Sequence, residues 1–219
     1  MIENVRIEPL DIQNRLDELG LEQEALANVV RQGYYTFISC TENDAPLYPG
    51  LAAWNQMVRA LREYLLPKGW IRSNDHSFPL VINPSGTLAI AVSSGDEQTG
   101  LGELSPATKS SKGPRTIEVV AANQEQLNLF GHEPLPVHAE LSDSNSGDNR
   151  MTWYLLFHRA INEVRCELSL PLSMGNDGRI VDWQERIILG TIPTDPESLE
   201  LPPPAPTQPD IDVAIKRRA

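Results

Sequence analysis

Cysteine is almost missing from this chain: Cys40 and Cys166 are the only two in 219 residues, too few and too far apart for a disulfide framework or a zinc-ligand spacing. Histidine is also sparse. His76, His132, His138 and His158 lack the His-x-x-x-His interval that would set two imidazoles on one helix face around a metal. No apolar run approaches the roughly 20 residues that span a bilayer. The amino-terminal Met1-Ile2-Glu3-Asn4-Val5-Arg6 has neither the basic start nor the apolar stretch of a secretory signal. A cytoplasmic location without membrane association is the expectation. A Walker A loop, a dinucleotide fingerprint and a Gly-x-Ser-x-Gly elbow are also missing, and neither cysteine stands in a nucleophile signature. Conventional hydrolase chemistry is therefore disfavoured.

Positive charge is scarce as well. Eighteen Lys and Arg face thirty Asp and Glu, a formal net charge of −12, which opposes non-specific attraction to nucleic acid and to anionic membranes. Any nucleic-acid contact must use a local patch or a basic partner, and the acidic surface can itself occupy a basic site on another protein. Hydrophobic residues at 40% and aromatic residues at 6% are compatible with one core of modest size.

Periodicity divides the chain into helices, then strands, then a tail. Val5 to Pro9 reads as a short strand, and Asp11 as the cap of a brief helix carrying Ile12, Leu16 and Leu19 up to Gly20. From Leu21 towards Cys40, the apolar residues Leu26, Val29, Val30, Gly33 and Phe37 recur at helical spacing. A second helix opens at Pro49-Gly50 with Leu51, Trp54, Val58, Leu61 and Leu65 as its stripe. Strands are expected at Trp70 to Arg72, Pro79 to Asn83 and Thr87 to Val92. Thr116 to Phe130 carries signals for both states, with helix favoured. A meander follows: Met151 to Arg159, Glu163 to Leu170 and Arg179 to Leu189, with Asn176-Asp177-Gly178 as one turn. A three-residue connection at Ala160 to Asn162 would put Tyr154, Leu156 and His158 on the face of Val164, Cys166, Leu168 and Leu170. The fold class expected is α+β, a helical pair packed on a mainly antiparallel sheet. One domain would cover 1–192 with a mobile loop at about 131–150, and 193–219, with seven prolines and a Lys216-Arg217-Arg218 end, would form a disordered tail.

The stretch from Leu88 to Thr116 carries the most chemistry. An apolar run empties into Ser93-Ser94-Gly95-Asp96-Glu97-Gln98-Thr99-Gly100, followed by Lys109, Lys112 and Arg115. Those three are the only basic residues from Ser73 to Asn149, against ten acidic ones. The glycines permit a tight turn, Ser93, Ser94 and Thr99 can donate hydrogen bonds to an anion, and the cations can neutralise it. Asp96 and Glu97 repel a bare phosphate, so a ligand bridged by a divalent Mg²⁺ or Mn²⁺ on Asp96 and Glu97 is the more coherent form of this site. The alternative is a surface loop whose charges pair with one another.

A second constellation comprises His158, Glu163, Glu167, Asp182 and Glu185 on the expected meander. Clustered carboxylates are what metal-dependent phosphodiester cleavage uses, and Glu163, Glu167, Asp182 and Glu185 are its catalytic candidates. Arg159, Arg165 and Arg186 are equally placed to pair with these acids across strands. Trp54, Trp70, Trp153 and Trp183 follow helix and strand spacing and read as core rather than base-stacking platforms. Tyr34, Tyr35 and Tyr48 flank the acidic stretch Glu42 to Asp44, where an exposed aromatic marks a protein-contact surface.

Four segments together, Pro49-Gly50-Leu51-Ala52-Ala53-Trp54, Ala91 to Gly100, Thr108 to Pro114 and Glu185-Arg186-Ile187-Ile188-Leu189, resemble an uncharacterised protein family encoded on bacterial integrative and conjugative elements. The resemblance implies a bacterial cytosol and a setting of mobile-element DNA maintenance or host conflict. Composition and setting lead to the expectation of a non-enzymatic accessory or regulatory protein that binds a protein or nucleoprotein partner and requires no cofactor. The alternative is a metal-dependent phosphoryl-transfer enzyme or nuclease at Asp96/Glu97 and Lys109/Lys112/Arg115.

Overall fold

The computed structural model describes residues 4–130 and 150–194. The loop and tail expected at about 131–150 and 193–219 fall almost wholly outside that range. Four helices and seven strands follow in the order β1 (Asn4–Arg6), α1 (Pro9–Glu18), α2 (Gln23–Ile38), α3 (Tyr48–Leu65), β2 (Ile71–Ser73), β3 (Leu80–Ile82), β4 (Leu88–Ser94), α4 (Pro114–Phe130), β5 (Met151–Arg159), β6 (Glu163–Met174) and β7 (Ile180–Pro193). All seven strands form one sheet, β1-β7-β6-β5-β4-β3-β2. Pairing is antiparallel except for β1 with β7 and β4 with β5. The crossover through α4 makes β4 and β5 parallel, because a hairpin cannot join parallel neighbours. The α+β architecture with a mainly antiparallel sheet is thus observed.

The helical pair is α2 and α3, packed through Gly33, where an added Cβ would stand 2.9 Å from the Ala53 carbonyl. With α1 they cover one sheet face: Leu16, Leu26, Val30, Met57, Leu61 and Leu65 bury against Ile90, Trp153, Leu155, Cys166, Leu168 and Ile187. Each such aliphatic side chain contributes about 1.5–3 kcal/mol on full burial. α4 lies on the opposite face, where Val120 joins Ala89, Ala91, Tyr154, Leu156, Ile180 and Trp183. Its Asn123 is wholly buried. The Asn123 amide donates to the Thr152 carbonyl at 3.0 Å and accepts from the Thr152 N–H at 2.9 Å, replacing strand pairing at the place where β5 and β6 part.

Three local expectations shift. α1 begins at Pro9, so Asp11 sits inside its first turn rather than capping it; a carboxylate there still complements the helix dipole. β7 continues to Pro193, past the strand end expected at Leu189. The β5–β6 register also moves by one residue. Arg159 pairs with Val164 and the Ala160 N–H donates to the Glu163 carbonyl at 2.9 Å, leaving two residues, Ile161 and Asn162, as the loop instead of three. A one-residue slip inverts the faces: Trp153 and Leu155 lie with Cys166 and Leu168 under the three helices, whereas Tyr154, Leu156 and His158 oppose Ser169, Glu167 and Arg165.

Candidate functional site

The turn after β4 is held by its own side chains. Both oxygens of Asp96 are engaged by backbone, Oδ1 accepting from the Gln98 N–H at 3.1 Å and Oδ2 from the Ala107 N–H at 3.0 Å. Glu97 is exposed, and its main-chain carbonyl accepts from Arg165 Nη2 at 2.8 Å. Gly100 alone of the two glycines needs a left-handed backbone, with φ +77°. Gly95 is required for space, since a Cβ there would meet Thr99 Oγ1 at 2.0 Å. The Thr99 hydroxyl is buried with no hydrogen-bond partner among the described residues.

The cations do not gather on this turn. Lys109 is exposed, although its N–H donates to the Ser94 carbonyl at 2.9 Å. Arg115 pairs with Glu118 at 2.9 Å on the first turns of α4 and lines a shallow cleft with Leu80, Val119, Arg150 and Thr152. Lys112 alone of the three reaches a predicted site residue through its side chain, its ammonium donating to Ser93 Oγ at 2.7 Å; burial pushes this amine below the ordinary lysine range. Ser93 is itself buried and also donates to the Ser94 carbonyl at 3.3 Å. The stretch therefore folds as a strap across the sheet, and the described contacts do not draw Asp96, Glu97, Lys109, Lys112 and Arg115 onto one point.

The strap is tied down by the second constellation. Glu167 and Arg186 are both wholly buried and form a two-pronged pair, Nε to Oε1 at 3.0 Å and Nη2 to Oε2 at 2.6 Å. Glu167 also accepts from the Gly100 N–H and from Ser169 Oγ, each at 2.8 Å. Arg186 donates to the Leu104 carbonyl at 2.6 Å and the Leu101 carbonyl at 3.1 Å. Glu185 lies away from this pair and is gripped by Arg15 at 2.9 Å and by Arg6, joining α1 and β1 to β7. Glu163 pairs with Arg165 at 3.4 Å, Asp182 accepts from Ser173 Oγ, and His158 Nδ1 lies 3.4 Å from the Gly95 carbonyl. Each carboxylate expected to share a metal instead has its own partner, across strands for Glu167 and Asp182, between layers for Glu185 and along β6 for Glu163. Among the described residues no group of three His, Cys, Asp or Glu side chains is placed to hold a metal ion.

The four tryptophans behave as core residues. Trp70, Trp153 and Trp183 are buried, and Trp54 is half-buried with its Nε1 donating to the Val92 carbonyl at 3.0 Å. Cys166 is sealed in the core, where burial pushes its thiol up to about 12, removing it as a nucleophile.

One end of the molecule presents a different surface. The Arg159 guanidinium stands 3.4 Å from the Phe37 ring centroid, bringing the β5–β6 turn to the C-terminal end of α2. Antiparallel packing through Gly33 sets that end beside the start of α3. Here Ile38 is 48% exposed, Leu47 85%, Tyr48 50%, Leu51 58% and Ile161 95%. Leu51 follows the apolar stripe of α3 and was expected in the core. It lies one turn before Trp54, which already meets the end of β4, so Leu51 overhangs the sheet. Glu42 and Asp44 belong to the turn between these helices. Tyr48 beside that turn was legible as an exposed aromatic; Leu47, Leu51 and Ile161 could be found only once the end of the sheet was known.

No protein-family model, curated protein or solved structure matches the chain. No helix among the described residues is long and apolar enough to cross a membrane.

Proposed function

We propose that the chain is a non-enzymatic accessory or regulatory protein of a bacterial mobile element that binds a protein or nucleoprotein partner in the cytoplasm. The observation that carries this reading is the concentration of exposed apolar side chains, Ile38, Leu47, Tyr48, Leu51 and Ile161, at one end of a domain whose buried acids are paired internally. Exposed apolar side chains gathered on one part of a surface are typical of protein contact sites. The phosphoryl-transfer alternative draws no support from the geometry, because Asp96 spends both oxygens on backbone and Glu167, Glu185 and Asp182 each serve another partner.

The reading is tested by affinity capture from a bacterial host carrying the element, followed by sizing of the purified protein with the recovered partner. A stoichiometric complex is expected, and the paired substitution Leu47→Asp and Leu51→Asp abolishes it while changing unfolding free energy by no more than about 0.5 kcal/mol, as exposed positions allow. A protein that stays alone on sizing, or a complex indifferent to both substitutions, overturns it.

A further inference from the structure

In a chain with a net charge of −12, two guanidinium groups meet at the edge of the sheet with no acid between them. β2 is the last strand of the sheet, and its Arg72 is exposed. Arg62, in the last turn of α3, reaches the residues that follow Arg72: its Nη2 donates to the Ser73 carbonyl at 3.0 Å and to Asn74 Oδ1 at 2.7 Å. The Arg62 Nε–H is buried with no acceptor among the described residues. Burial and then the Arg72 charge hold this guanidinium below the ordinary arginine value, so the two cations stand close enough to repel. Neighbouring acids do not relieve them. Glu63 is taken by Arg59 at 2.8 Å, and Asp75 in the turn after β2 pairs with neither arginine among the described residues. Arg15, Arg165 and Arg186, by contrast, all meet carboxylates.

Two like charges without a counter-charge favour an anion, and the guanidinium fork matches phosphate oxygens. Asn74 spends its amide oxygen on Arg62, which leaves its NH2 group as a further donor. Small-molecule sites are concave, whereas Arg72, Asn74 and His76 all stand exposed on an edge strand and its turn, a surface to which a nucleic-acid strand presents its backbone phosphates. The overall negative charge opposes such a strand from a distance, but salt screens that field beyond about 8–10 Å and leaves the local pair to act.

We propose that Arg62 and Arg72, with the Asn74 amide, hold a phosphate of a nucleic-acid strand, and that this edge is the local patch through which an acidic chain touches the nucleic acid of a nucleoprotein partner. This rests on the nucleoprotein side of the reading above. The site lies about three turns along α3 from Leu51 and shares no residue with the apolar end.

The test is fluorescence anisotropy of a short labelled single-stranded DNA oligonucleotide titrated with the full purified chain over a range of salt. Binding at low salt is expected. Arg72→Gln, an exposed change, weakens it about tenfold and lowers the slope of log affinity against log salt by about 0.7. Arg62→Gln does the same, and Lys109→Gln, which removes an exposed charge elsewhere, leaves the slope unchanged. No binding by the native chain, or equal losses for Arg72→Gln and Lys109→Gln, overturns the proposal. So does displacement of the oligonucleotide by inorganic phosphate at a matched phosphate concentration, which would make this a site for the free ion. The two readings fail separately: a partner complex lost with Leu47→Asp and Leu51→Asp, but without oligonucleotide binding, leaves the interface standing and removes this site, whereas oligonucleotide binding without any partner complex does the reverse.

Discussion

Glu167 and Arg186 have no solvent to fall back on, so each depends on the other. Replacing one member of a buried pair strands the opposite charge and costs about 3–5 kcal/mol, well above the median of about 0–1 kcal/mol for surface pairs. Arg186→Met is therefore expected to lower the unfolding free energy by about 3–5 kcal/mol in urea titration, and to speed amide exchange at Gly100, whose N–H is bonded to Glu167. A loss below about 1 kcal/mol would show the strap to be held by other contacts. Lys112 makes a different prediction. Burial keeps its amine below the ordinary lysine value of 10.5, so between the lowered value and 10.5 the unfolded chain binds more protons than the folded one. Stability contributed by this group rises with pH through that window and is diminished at neutral pH. Relative to the native chain, Lys112→Met flattens this alkaline rise when unfolding free energy is measured stepwise from neutral pH to 10.5. Identical slopes for the two proteins would refute the assignment.

At the scale of elements, the close approach of α2 and α3 makes the sharpest forecast. A Cβ at Gly33 would stand 2.3 Å from Met57 Cε and 2.9 Å from the Ala53 carbonyl. The methionine can turn aside, but the backbone carbonyl cannot. Gly33→Ala gains about 1 kcal/mol of helix propensity yet forces the helices apart at a cost of about 1–3 kcal/mol. A lowered melting temperature is expected, and an increase would mean that the pair separates freely. Element type was legible because burial imposes a period of 3.6 on α2 and α3 and close to two on the meander. Register was less legible. Ala160 to Asn162 admits a two- or three-residue connection, and the choice decides which side of β5 faces the helices. Tyr154 and Trp153 both suit a core, so hydrophobicity could not break the tie.

Across the whole molecule, net charge and interior charge follow separate rules. The −12 balance belongs to the chain as a whole, while buried guanidinium groups are matched to acids from distant parts of the chain, as Arg15 is with Glu185, 170 residues apart. Composition, the helix stripes, the meander and the α+β class were determined by the sequence itself, because local backbone periodicity and burial act over a few residues. The duties of Asp96, Glu167, Glu185 and Lys112 were decided only by tertiary structure. A carboxylate has the same sequence signature whether it holds a metal, a backbone N–H or a guanidinium, and its partner is chosen when the sheet brings distant strands into register. The same holds for Leu51, whose place in a helical stripe marks a buried face but not where the sheet beneath it ends.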